Sequence, residues 1–376
     1  LPLRQAQWLG THNSFNSLSE SFTPSHADSN QQLSLAQQLD IDVRALELDL
    51  HYIRRLDLVG GRGVTVCHGL GPDKANLGCT TEPAFGNVLP EIANWLGTPA
   101  HSDQVILRYL EDELKDARAY ASAVGTLDGV LRRPDGSSLI YRPNPAQRAA
   151  DGCVRLPLNL SRNDVRGSGA QVVVVGSCAS GWASDVFNWD GVEVEKGSTS
   201  GYRAYPACDA TYGAGTYASR LVRYYEDSTL VSALVKPTRP PTDALAPAKA
   251  KAMIDCGVNL FGFDQLLPED GRIQASLWSW APDEPRAGAG ECTLQDRDGR
   301  WVSAPCTDAH PAACVTAAGT WAVTSTAVTF AGAPLACTAA GADFALPRSG
   351  DQNARLHAVS SLAGGAWVRY TLSPGI

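Results

Sequence analysis

The 376-residue sequence predicts an α/β protein: a TIM-type (β/α) barrel over residues 1–268, then a smaller disulfide-rich domain, mainly β or α+β, over 269–376. Three features carry that expectation. Short β-rich runs alternate with helical or loop stretches through the first 267 residues, the pattern of a parallel sheet wrapped by helices. Beyond Leu267 the texture changes, with charges thinning and Ala, Gly, Thr and Trp dominating. Five of the ten cysteines fall between Cys256 and Cys337.

Eight strands are expected: Ala6–Leu9, Val43–Leu48, Val64–Cys67, Val105–Leu110, Ser138–Tyr141, Val172–Gly176, Leu221–Tyr225 and Leu260–Phe263. Pro83–Leu96 keeps apolar residues at helical spacing, and Pro247–Cys256 enters on a proline and stops at Gly257. Gly176–Gly215 reads as a long loop rich in Gly, Ser and Trp, and loops of that length are usually functional. The domain boundary is placed between Glu269 and Ile273, with no flexible linker.

Composition narrows the function. A net charge of −8 without a basic stretch argues against a nucleic-acid partner and against long-range attraction to an anionic membrane. No apolar run reaches the ~18 residues that cross a bilayer. An even cysteine count with no CxxC pair favours disulfides over zinc, hence an oxidising compartment and a secreted protein. The chain opens LPLRQAQWLG with no initiator Met and holds a single Met253, which reads as a mature, processed form. A monomer is expected.

Chemistry gathers in the first third. His12-Asn13 follows the first expected strand, Glu47 and Asp49 share one face of the second, His68 closes the third, and Glu111 closes the fourth. Barrel active sites assemble at the C-terminal ends of strands, and here four successive ends carry ionisable or metal-binding groups. Any one of them alone would read as ordinary strand-end polarity. Asn13, Glu47, Asp49 and Glu111 offer hard oxygens suited to Ca²⁺, with Mg²⁺ the alternative. The two histidines remain for proton transfer and for stabilising charge on phosphoryl oxygens.

The segments GTHNSFN (Gly10–Asn16), RALELDLHY (Arg44–Tyr52), VCHG (Val66–Gly69) and VILRYLED (Val105–Asp112) resemble the catalytic half of phosphatidylinositol-specific phospholipases C. They are most similar to the calcium-dependent members of that wider phosphodiesterase family. The resemblance covers the barrel and is specific through Asp112. It implies that His12 contacts the phosphate and stabilises the pentacovalent transition state, and that Asn13, Glu47 and Asp49 ligate Ca²⁺. His68 would be the general acid toward the leaving alcohol, Glu111 would complete the metal site, and Glu47 would be the base for the substrate's own hydroxyl. The fourth-strand match carries one extra residue, so Glu113 stands as an alternative to Glu111.

Head-group readers have no motif, and Lys115, Arg142, Trp182, Arg223 and Tyr225 are the candidates. The expected substrate is a phospholipid, phosphatidylinositol-like, or a glycerophosphodiester, met at a transient membrane contact. Glycerophosphodiester phosphodiesterases and phospholipase-D-type enzymes share two histidines and a Glu-x-Asp strand and form the alternative reading. A barrel that binds without catalysis is the non-enzymatic one.

Residues Leu277–Val315, with Trp280, Glu284-Pro285, Cys292, Trp301, Cys306 and Cys314, resemble the second half of a C-type-lectin-like domain. Trp321–Ser361, with Cys337, resembles a first half, so the order is reversed as in a circular permutation. That likeness implies Cys292–Cys306 and Cys314–Cys337. Glu284-Pro285 is followed by Arg286, and Trp301 by Val302-Ser303, so calcium-dependent sugar binding is not expected. In the barrel, Cys67 and Cys79 flank a loop they can staple, Cys178 and Cys208 can close the long loop, and Cys153 and Cys256 remain.

Overall fold

The computed structural model describes residues 1–20, 29–55, 61–79, 83–157, 159–182, 185–190, 193–196, 203–208, 220–229 and 245–372. Of the long loop, residues 183, 184, 191, 192, 197–202 and 209–215 lie outside that set. Contacts divide the chain into two compact units. The first comprises Leu1–Ser200, Ser219–Leu245 and Leu260–Ile273, and the second Gly201–Ala218, Ala246–Asn259 and Gln274–Ile376.

The first unit is a parallel barrel. Its strands are β1 (Gly10–Thr11), β2 (Ala45–Arg54), β3 (Arg62–Val66), β4 (Ile106–Glu113), β5 (Val172–Gly176), β6 (Phe187–Asn188), β7 (Glu193–Lys196), β8 (Leu221–Tyr225) and β9 (Leu260–Gly262). Parallel ladders run β1-β2-β4-β5-β6 and β7-β8-β9. Parallel bridges Trp8↔Leu260 and Thr11↔Phe263 join β9 to β1, so eight parallel strands follow one another round the sheet.

The third expected strand is not one of the eight. β3 pairs antiparallel with the outer part of β2, from Leu50↔Val66 to Arg54↔Arg62. Only residues 55–61 connect the two, whereas a parallel crossover needs about a dozen residues or more. Ser138–Tyr141 likewise makes only isolated bridges, and the short β6 and β7 take the vacated places.

Alternation along the strands builds the interior in layers. Register aligns Ala45, Leu107 and Val173 in one layer, and Glu47, Tyr109 and Val175 in the next toward the strands' C-terminal ends. Ala45, Leu107, Val173, Leu221 and Leu260 belong to one buried cluster with Trp8 and Phe187. The opposite face of β2 and β4, Leu46, Leu48, Leu50 and Leu110, is equally buried. On that face the Arg108 guanidinium lies over Phe85, which opens the amphipathic helix Phe85–Leu96.

The second unit adds β10 (Cys292–Gln295), β11 (Trp301–Ala304), β12 (Ala313–Val315), β13 (Trp321–Val323), β14 (Asp343–Phe344) and β15 (Ala366–Thr371). They form two antiparallel sheets, β11-β10-β15 and β13-β12-β14, with helices Ala333–Ala339 and Gly350–Ser360. Trp367, Phe344, Leu294 and the half-cystines fill its core. Asn353 is a hub there: its Oδ1 accepts from Gln295 and Trp301, while its amide donates to the Trp278 and Gly299 carbonyls.

All ten cysteines are paired. Cys67–Cys79, Cys292–Cys306 and Cys314–Cys337 are present. The remaining two pairs exchange the partners expected from loop closure: Cys153 joins Cys178, and Cys208 joins Cys256. The segment after Cys153 runs beside β6, through the Arg155↔Asn188 bridge, and this brings Cys153 to the end of β5 where Cys178 follows. Cys256 caps helix Pro247–Asp255, within the unit that also holds Cys208. Among the described residues no helix is long and apolar enough to cross a membrane.

Gly10 shows how tightly β1 is wedged. A Cβ there would lie 2.2 Å from the Phe261 carbonyl oxygen and 2.9 Å from the Ala45 Cβ. Gly10→Ala should therefore destabilise the fold by about 1–3 kcal/mol, the usual range for overpacking. Urea unfolding would report it, and an unchanged midpoint would contradict this packing.

Candidate active site

The backbone after β1 turns sharply to place His12 and Asn13. Asn13 adopts a left-handed conformation (φ 44°), which Asn tolerates better than most residues. Ser14 locks this turn to β2: its N–H donates to the Glu47 carbonyl at 3.0 Å, and its Oγ accepts from the Glu47 N–H at 2.9 Å. From the other side, the His12 N–H donates to the Phe263 carbonyl, and the Gln31 amide donates to the carbonyls of both His12 and Phe263.

Glu47 and Asp49 face inward from β2, and β4 brings Glu111 opposite Asp49. One oxygen from each of Glu47, Asp49 and Glu111 lies within 4.8 Å of the other two. Glu113 sits one inward position further along, opposite His51, and is not part of that trio. The Asn13 amide meets Asp49: with its nitrogen so turned it donates to Oδ2 at 2.9 Å and to Oδ1 at 3.1 Å. His68 is half-buried and directly follows Cys67, whose N–H donates to the Asp49 carbonyl at 3.1 Å.

Three carboxylates suit a hard cation, and the trio gives this structure's own reason to expect one; the Asn13 amide joins the set with its oxygen, not its nitrogen, turned toward Asp49. Like charges gathered so closely repel, and a divalent ion bridging them relieves that repulsion. Arg223 offsets part of it already, its Nη2 bonding Glu47 Oε2 at 2.7 Å with both side chains buried.

His12 is held by an acid beyond the end of β9. Its Nδ1 lies 3.3 Å from Asp264 Oδ1, while Asp264 Oδ2 accepts from the Asn30 amide, the Ser228 N–H and the Ser228 hydroxyl. The Tyr225 ring lies 5.0 Å from the His12 ring, centre to centre. Burial pushes the His12 imidazole down, but the Glu47 charge, then the Asp264 charge and hydrogen bond, outweigh it and raise it to about 9. Asp264 follows the last barrel strand, so the strand-end rule that singled out Glu111 applies to it equally.

The other candidates separate clearly. Tyr225 joins the site beside His12, and Arg223 lies inside the barrel on Glu47. Trp182 is buried away from it, donating Nε1–H to Asp112 Oδ2 at 2.9 Å and packing edge-on against Tyr120. Asp112 also accepts from the Tyr120 hydroxyl at 2.5 Å, on the face of β4 opposite Glu111. Arg142 is taken by Asp128 and Asp185. Lys115 is exposed and bonds Asp73 at 2.9 Å.

A histidine whose pKa is raised on folding stabilises the protein fully below its unfolded value of about 6.5, and that contribution fades as pH rises through about 9. In the metal-free chain, NMR titration should place His12 near 9, and Asp264→Asn should lower it. A His12 pKa at or below its ordinary value in the unaltered chain would contradict this arrangement.

Residues 1–270 match the family described as the Rv2075c PI-PLC-like domain. Two Mycobacterium tuberculosis proteins, the uncharacterized protein Rv2075c (strain H37Rv) and the uncharacterized protein MT2135 (strain CDC 1551), are each 73% identical over 376 residues. The match covers the whole chain and 77% of each relative. Among solved structures, the phosphatidylinositol-specific phospholipase C of Listeria monocytogenes is similar at 14% identity and a TM-score of 0.44, over 73% of this chain and 93% of that one. A Ca²⁺-dependent phosphatidylinositol-specific phospholipase C of Streptomyces antibioticus is similar at 15% identity and 0.35, over 70% and 95%. The chain belongs to the family of Rv2075c PI-PLC-like domains.

Proposed function

We propose that this protein is a secreted, calcium-dependent phosphodiesterase that cleaves the head-group phosphodiester of a phosphatidylinositol-like phospholipid. One observation carries the reading: three carboxylates converge where β2 pairs with the C-terminal half of β4, beside a histidine that is paired with its own carboxylate. Asn13, Glu47, Asp49 and Glu111 would hold the cation, with Mg²⁺ as the alternative ion. When bound, it would neutralise charge on the phosphoryl oxygens and favour ionisation of the attacking hydroxyl.

The chain's own groups supply the rest. His12, paired with Asp264 through Nδ1, donates a hydrogen bond to a phosphoryl oxygen and favours the more negative transition state. Asp264 sets which ring nitrogen faces the substrate, since Nδ1 is engaged with it. His68 is the general acid for the leaving alcohol. Glu47, held at Oε2 by Arg223, is the base for the attacking hydroxyl. Tyr225, flanking His12, offers a ring wall to the head group. The disulfide between Cys67 and Cys79 staples the loop that starts at His68. The disulfides suit an oxidising compartment, and the C-terminal unit is read as a lectin-like module that presents the barrel to a surface.

The test is turnover of a panel of diesters carrying inositol, choline, ethanolamine or glycerol, with calcium, with magnesium and with chelator. Chelator should abolish turnover, and His12→Ala or His68→Ala should lower kcat by about 10²–10⁴-fold, the usual weight of general acid–base catalysis. Full activity in both variants would overturn the reading. Equal turnover with chelator would remove the cation from it.

A further inference from the structure

Between Gln274 and Ile376 the chain carries six arginines, no lysine and eight acids. Three of those arginines, Arg348, Arg355 and Arg369, line one cleft of about 960 Å³ within the second unit, together with Asp343 and Asp351. They reach it from three places in the fold. Arg369 lies on β15, just past the buried run Ala366, Trp367 and Val368. Arg348 precedes helix Gly350–Ser360, and its N–H donates to Gln352 Oε1 at 2.8 Å. Arg355 stands on that helix and pairs with the buried Asp351 at 3.1 Å. Arg348 and Arg369 are exposed, and among the described residues no acid pairs with either. Asp351 and Gln352, in the first turn of the 11-residue helix, line the same cleft, so the positive end of the helix dipole opens on it. Trp321, Phe344 and Leu346 supply an apolar wall.

We propose that this cleft binds a small organic anion, a compound carrying phosphate or carboxylate groups on a compact carbon frame. The site is separate from the barrel's chemistry and does not rest on the calcium reading. Guanidinium groups present forked donors that match the oxygens of either acid, and Arg348 and Arg369 are the two with no acid to hold them. A volume near 960 Å³ lies at the upper end for small-molecule sites, and the apolar wall suits a carbon frame. Size and charge together select against a long polyanion. Outside the cleft such a chain would meet a protein of net charge −8, in a segment where acids outnumber arginines. Inside it, Asp343 and Asp351 temper the three arginines, so one or two acidic groups match the cleft better than a dense array.

The test is calorimetric titration of the full, metal-free chain with fructose 1,6-bisphosphate, with tricarballylate, with uncharged sucrose and with phosphatidylglycerol vesicles. At least one of the two small anions should bind saturably and about 10-fold or more tighter than sucrose, and the tighter of them identifies the acidic group preferred. Arg348→Gln and Arg369→Gln should each weaken that binding by about 10-fold, the weight of one charge-assisted hydrogen bond. Arg286→Gln removes the same charge from another exposed position of the unit and should leave binding unchanged. Both cleft arginines are exposed, and either single variant carries the comparison should the other lose its fold. Failure of both small anions to bind would overturn the proposal, as would binding to the vesicles alone. Unaltered binding in the Arg348→Gln, Arg369→Gln double variant would place the anion elsewhere, in the barrel for example. An equal loss in Arg286→Gln would reduce the effect to net charge.

Discussion

Three carboxylates forced together at one end of a barrel set the terms for the rest of this site. Like charges within 4.8 Å cost on the order of 3 kcal/mol per pair at an effective dielectric of about 20. Glu47 and Asp49 are buried and cannot turn away to water, while Glu111, opposite Asp49, is exposed. The surroundings supply positive charge from two directions. Arg223 meets Glu47 from the floor of the barrel, and His12, raised by Glu47 and Asp264, faces the cluster from β1.

The same constraint explains why the backbone around the site is so heavily braced. Ser14 ties the His12–Asn13 turn to β2, and Gln31 ties it to the end of β9. Beyond β9, Arg272 bonds both Glu226 Oε2 and the Asp264 carbonyl, while Glu226 accepts the Asp264 N–H. Each of these bonds limits how far a charged group can retreat from its neighbours. Gly10 belongs to this set too, since only a residue without Cβ lets β1 sit between β2 and β9.

Much of this was legible in the sequence because strand-end chemistry is local. His12-Asn13, Glu47-x-Asp49 and Glu111 announce themselves by residue type and period-two spacing, and the barrel follows from alternating short strands. What escaped was decided by partners far along the chain. Asp264 is 252 residues from His12, and nothing near it marks it as a histidine's partner. Nothing near Arg223 in the sequence marks Glu47, 176 residues away, as its partner. Trp182 and Arg142 carried suitable chemistry for a head-group site, but are claimed by Asp112 and by Asp128 and Asp185 on the other side of the sheet. β3 was misplaced because β2 runs on to Arg54 and leaves too short a connection for a crossover. The cysteines went wrong for a related reason: sequence distance suggested Cys178 with Cys208, whereas the segment bridged to β6 through Arg155 brings Cys153 to Cys178.

The claim that the carboxylate cluster is a cation site is open to direct observation. A crystal of the full chain grown with Sr²⁺, a heavy stand-in for calcium, would locate the ion by its anomalous signal. One peak enclosed by Asn13, Glu47, Asp49 and Glu111, with Arg223 still on Glu47, is the expected result. No peak among those residues at saturating Sr²⁺, or a peak elsewhere in the chain, would contradict it.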